Sequence, residues 1–118
     1  MPKILMVEDN VECCEYVRRY FQTHRPDIEV VFATHLREVP RLLTEGQWEL
    51  IVWDERLPDG KASEGAIQAA KGIFTGPMIA NSDTWKSVQK QMRAGCTHWT
   101  TTGCDVIKVI LHLLPKDA

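Results

Sequence analysis

Residues Leu50 to Gly60 read LIVWDERLPDG. Leu50, Ile51, Val52 and Trp53 form an apolar run that suits a strand covered on both faces, and Pro58, Asp59 and Gly60 are turn chemistry. Three successive charges, Asp54, Glu55 and Arg56, stand between the two. Asp54 therefore sits at the C-terminal end of a buried strand, and the fold must give that carboxylate a use or a partner.

Outward from this stretch the pattern alternates between strand and helix. KILMV (Lys3 to Val7) is a short apolar run, followed by Glu8, Asp9 and Asn10. Val11, Cys14, Val17 and Phe21 then recur at helical spacing up to His24, with Asn10 in position to cap. IEVVFA (Ile28 to Ala33) is a second strand. Thr34 is placed to cap a helix whose inward face is Leu36, Val39, Leu42 and Leu43, with Pro40 shortening or kinking it. After the opening strand and its loop, Ser63 starts a helix marked by Ala66, Ile67, Ala70 and Phe74, which Gly76 and Pro77 end. MIAN (Met78 to Asn81) is a fourth strand. Trp85, Val88 and Met92 form the stripe of a fourth helix ending near Gly95, and Ser82 and Asp83 are candidates for its cap. Thr97 to Thr101 makes a weak, β-branched fifth strand. Asp105 to Leu114 is a last helix with Val106, Val109, Ile110 and Leu113 on one side.

Five strand–helix units predict an α/β fold: a doubly wound, five-stranded parallel sheet with helices on both faces. The common order is 2-1-3-4-5, which opens a binding crevice at the C-terminal edge between strands 1 and 3. The 118 residues suit one domain over residues 1–118, large enough to bury roughly two thirds of the surface its unfolded chain exposes. A formal net charge of −2 gives no global attraction to nucleic acid or anionic lipid, and no apolar run is long enough to span a membrane. Cys13, Cys14, Cys96 and Cys104 include no CxxC spacing, which fits a reduced, cytoplasmic setting, and Cys14 shares a helical face with Val11, Val17 and Phe21 as a small hydrophobe.

This architecture brings Glu8 and Asp9, at the end of strand 1, beside Asp54 at the end of strand 3. Clustered carboxylates repel and raise each other's pKa unless a cation lies among them. Mg2+ suits the set, because it takes one or two carboxylates, keeps several waters and accepts phosphate oxygens. With repulsion screened, a carboxylate can attack phosphorus and become an acyl phosphate, and Asp54 has the central position. The bland alternative for any one of these acids is a helix cap or a solvated loop residue.

At these residues the chain resembles the receiver domain of two-component response regulators, a flavodoxin-like (βα)5 fold, along nearly its whole length. KILMVEDN matches the family's first strand and acidic pair, and LIVWDERLPDG matches its phosphoacceptor strand with the D-x-x-[LM]-P continuation. The resemblance implies Mg2+ bound by Asp9, by Glu8 through water, by Asp54 and by the backbone carbonyl of Arg56. Asp54 is then the phosphoacceptor, Ser82 the switch hydroxyl and Trp99 the switch aromatic; capping and ordinary packing are their alternatives. Where the family carries Lys then Pro at the end of strand 5, this chain has Thr102 and Gly103. An ammonium about 4 Å from a phosphoryl oxygen supplies about 4 kcal/mol at an effective dielectric of about 20. A neutral hydroxyl supplies only about 1 kcal/mol. Lys108 lies within the last helix, and Arg56 and Lys86 are the other nearby cations.

Two functions follow. In the first the chain is a signalling receiver, not an enzyme in the ordinary sense, that accepts a phosphoryl group on Asp54 from a histidine kinase or phosphotransfer protein. Its switch is weakened, and it acts on a downstream protein through the face of helix 4, strand 5 and helix 5, which also leaves room for a homodimer. In the second it is a pseudo-receiver, a protein–protein interaction module independent of phosphate. Neither binds nucleic acid or membrane directly. A phosphatase of the D-x-D-x-[TV] type would need an Asp where Arg56 stands, and no glycine-rich nucleotide loop is present.

Overall fold

Apolar runs become strands where both faces are covered. In the computed structural model, which describes residues 1–101 and 105–116, four such segments and a more polar fifth form one parallel sheet. They are β1 (Lys3–Val7), β2 (Glu29–Ala33), β3 (Leu50–Trp53), β4 (Met78–Asn81) and β5 (His98–Thr100), ordered 2-1-3-4-5 as the alternation predicts. Val7 pairs with Ala33 on one side and Trp53 on the other, and Trp53 pairs with Ala80, so these strands end level with one another.

The sheet divides two cores by strand alternation. Leu5, Val7, Ile51, Trp53, Met78 and Ala80 pack with Val39, Leu43, Ile67 and Val88. Ile4, Met6, Leu50, Val52 and Ile79 pack with Val17, Phe21, Val106, Ile107 and Ile110 on the other side. The helices are α1 (Val11–His24), α2 (Val39–Glu45), α3 (Ile67–Lys71), α4 (Trp85–Ala94) and α5 (Val106–Leu113). Asn10 caps α1 as expected, its Oδ1 accepting the Cys13 N–H at 2.9 Å. Cys14 is buried, and burial followed by the nearby charge of Glu8 pushes its thiol up to about 11, so it behaves as the apolar residue its position predicts.

The departures lie between β2 and β4 and at the start of α4. Pro40 does not kink a helix; it occupies the first turn of α2, where a missing N–H is harmless, after a separate turn at Leu36–Glu38. Thr34 does not cap that turn. Its backbone N–H and that of His35 donate to the Glu38 carboxylate at 3.1 and 3.0 Å, while Asp59 accepts the Leu36 and Arg37 N–H groups at 2.8 and 3.0 Å. Burial alone would raise the Asp59 carboxyl, but these backbone donors hold it below its usual range. The helix expected from Ser63 begins at Ile67, because Ala62–Ala66 is an irregular turn with Gly65 at a φ of 117°. Phe74 lies past the end of α3. The cap of α4 is Thr84, whose hydroxyl oxygen accepts the Ser87 N–H at 3.2 Å, in place of Ser82 or Asp83. Trp85 lies outside the apolar stripe of α4 and is 51% exposed.

Candidate functional site

Glu8 and Asp54 emerge side by side because the residues before them, Val7 and Trp53, are paired. The ladder runs one bond further on each strand: the Glu8 N–H donates to the Ala33 carbonyl at 2.9 Å and the Asp54 N–H to the Val7 carbonyl at 3.0 Å. With Asp9 in the turn that follows, one carboxylate oxygen from each of Glu8, Asp9 and Asp54 lies within 4.8 Å of the others. Glu8 is buried, and its carboxylate accepts the N–H groups of Asp9 and Asn10 at 3.1 and 3.2 Å. Asp9 is exposed and Asp54 half-buried. All three line one cleft with Arg56, Asn81 and Ser82.

Burial, then the negative charge of Glu8 and a hydrogen bond with it, raises the Asp54 carboxyl from an ordinary 3.8 to about 7. The Glu55 N–H, donated to Asp54 Oδ1 at 2.8 Å, acts in the opposite direction and is outweighed. The donor set is three hard oxygens held in mutual repulsion, which fits a small divalent cation of the Mg2+ type.

The neighbouring charges separate by role. Glu55 turns inward, is 3% exposed, and accepts both the N–H of Ser63, at 2.9 Å, and its hydroxyl, tying the end of β3 to the turn before α3. Arg56 is exposed, in a short hairpin of Arg56–Leu57 with Gly60–Lys61. All three successive charges border the cleft: Asp54 contributes to its acid cluster, Glu55 ties down the loop, and Arg56 is exposed at its rim.

At the end of β4 the buried Ser82 hydroxyl donates to Gln91 Oε1 at 2.7 Å, and Gln91 Nε2 donates to the Trp53 carbonyl at 3.1 Å. Gln91, on α4, is fully buried and links the last residue of β3 to the residue after β4. Asn81, beside Ser82, is also buried, and among the described residues its Oδ1 has no hydrogen-bond partner.

Trp99 does not line the cleft: it is 48% exposed and packs edge-on against Trp85, ring centroids 4.8 Å apart. Thr102, expected in place of the family lysine, lies outside the described residues. Lys108 is exposed beside Asp105, 3.9 Å away, and Lys86 is exposed in the first turn of α4. Glu55, Asn81 and Gln91 were not among the sequence-predicted site residues. For Asn81 and Gln91 the available signal was a polar residue in a position whose periodicity calls for an apolar one.

Solved structures that superpose on this chain include response regulators and their receiver domains. A two-component response regulator from Clostridium difficile superposes with a TM-score of 0.83 at 14% identity, covering 98% of each chain. The chemotaxis protein CheY4 of Vibrio cholerae gives 0.79 at 19%, over 96% of this chain and 98% of its own. The receiver domain of the Saccharomyces cerevisiae response regulator Ssk1, in a complex with the histidine phosphotransfer protein Ypd1, gives 0.75 at 20%, over 95% of this chain and 86% of that one. No sequence-family model matches the chain, and no curated protein matches it. The chain has the receiver-domain fold over nearly its whole length.

Proposed function

We propose that residues 1–118 act as a two-component signalling receiver that accepts a phosphoryl group on Asp54 from a histidine kinase or phosphotransfer protein. The carrying observation is the convergence of Glu8, Asp9 and Asp54 within 4.8 Å at the β1/β3 edge of a receiver fold. Asp9, Asp54 and the Arg56 carbonyl would hold Mg2+ directly, and Glu8 through water. When bound, that ion supplies positive charge against which carboxylates and phosphoryl oxygens can approach. In the transfer, an Asp54 carboxylate oxygen bonds to phosphorus while the bond from phosphorus to the donor imidazole nitrogen breaks, its electron pair returning to the ring. Glu8, held by two backbone N–H groups, fixes the side of the cleft from which Asp54 is approached. The chain is a signalling module, not an enzyme with a separate substrate, and a cytoplasmic place fits this role. Among the described residues no helix is long and apolar enough to cross a membrane.

Thr102 in the position of the family lysine weakens the switch, since a hydroxyl brings no charge to a phosphoryl oxygen. A phosphate-independent interaction module is the second reading. It is favoured by the Trp85–Trp99 pair, a half-exposed aromatic surface on α4 and β5 of the kind protein partners use. Intact-mass measurement with acetyl phosphate and Mg2+ separates the two. One phosphoryl adduct is expected on the wild type, none on Asp54→Asn, and faster labelling on Thr102→Lys. No adduct on either the wild type or the lysine variant would leave only the interaction module.

A further inference from the structure

Asn81 is a carboxamide closing an otherwise apolar strand: Met78, Ile79 and Ala80 are buried in the two cores, while Asn81 is 5% exposed with an Oδ1 that nothing satisfies among the described residues. A buried acceptor without a donor is costly, and native proteins rarely keep one without a ligand, a water or a function to account for it. Its placement indicates which. Trp53 pairs with Ala80, so Asp54 and Asn81 are the next residues on neighbouring strands. By alternation Glu8 follows Met6, Asp54 follows Val52 and Asn81 follows Ile79, and those three predecessors share one core. Ser82 has the opposite parity and is engaged with Gln91 on the α4 side. Asn81 thus belongs to the face of the acids and lines the same cleft.

With the acids ionised, the amide oxygen and the carboxylates around it all only accept, so none of them can then satisfy another. The partner that suits all of them is a cation or a water bound to one. Amide carbonyls join carboxylates around hard divalent ions for this reason. We infer that the Asn81 carboxamide oxygen is a further protein ligand of the divalent cation held by Glu8, Asp9 and Asp54, taken directly or through one of the ion's waters. The inference rests on reading the acidic cleft as a cation site and adds to it a neutral ligand on β4, which couples the end of that strand to cation binding.

The test is calorimetric titration of the full chain with Mg2+ and with Mn2+, alongside thermal unfolding in a chelator. Asn81→Val removes the oxygen and puts a smaller, strand-favouring apolar side chain in its place. Its cation affinity is expected to fall about tenfold, with an unfolding midpoint in chelator equal to or above that of the wild type because the orphaned acceptor is gone. Asn81→Asp, which keeps an oxygen there, should bind at least as tightly as the wild type. Asn81→Ala serves as the second apolar variant should the valine not fold. Wild-type affinity in the apolar variant, or a wild type that takes up neither ion at tens of millimolar, overturns the inference. An Asn81-dependent cation affinity in a chain that acetyl phosphate never labels upholds the ligand and removes the phosphoacceptor reading. Labelling together with an unchanged affinity in Asn81→Val does the reverse.

Discussion

Asp54→Asn is expected to stabilise the cation-free protein at pH 8, by about 2 kcal/mol. The wild-type carboxyl titrates near 7 instead of 3.8, because burial and the charge of Glu8 disfavour its ionised form. Its contribution to stability is therefore fully present below the unfolded pKa and is lost as pH rises through about 7. Counted in full, that shift is worth about 4 kcal/mol. Asp54 is only half-buried, and solvent screening reduces the figure to about half. Asparagine removes the charge and keeps an oxygen for the Glu55 N–H. Thermal unfolding in a chelator should show the variant and wild type close together near pH 4 and separating up to pH 8. On the proposed function, saturating Mg2+ should narrow or invert the gap, since an ion held by these acids stabilises the folded wild type. A variant less stable than the wild type at pH 8 in chelator would mean that the acids do not repel.

Gln91→Ala is expected to have the largest effect in the opposite direction, a loss of about 3 kcal/mol from the cavity and the broken hydrogen bonds together. Gln91 has no exposed surface, and its amide both accepts from Ser82 and donates to the Trp53 carbonyl. Ser82→Ala alone should cost about 1–3 kcal/mol by leaving Gln91 Oε1 buried without its donor. Because one bond is shared, the double variant should be more stable than the sum of the two single effects predicts, by about 0.5 kcal/mol or more. Strict additivity in chemical denaturation would show that the Ser82–Gln91 bond carries no energy. If Ser82 is the switch hydroxyl of the proposed function, it must leave Gln91 to turn toward a phosphoryl group, so this bond opposes that movement.

Much of this was legible in the residues. The bounds of β1, α1, β3 and β4 follow from apolar runs and helical spacing, and the sheet order follows from the alternation of strands and helices. Asp54, Glu8 and Asp9 converge because those strands are neighbours. The region from Thr34 to Phe74 was harder. The turns that precede its helices are tied down by Asp59 and Glu55, acids more than seven residues away in sequence from the groups they bind there. Spacing rules read the face of an element; they do not read a cap that arrives from another loop. Trp85 kept a helical period but faces outward, where Trp99 covers one edge of it. Gln91 and Asn81 escaped notice for a related reason. Each is a polar residue at a buried position, and its partner, or its lack of one, exists only after the strands are assembled.

The measurement that bears most directly on the central claim is an anomalous difference map from a crystal soaked in Mn2+. A single strong peak touching carboxylate oxygens of both Asp9 and Asp54, and lost in Asp54→Asn, is the predicted result. A peak that contacts Asp9 alone, one elsewhere on the surface, or no peak at all would contradict it.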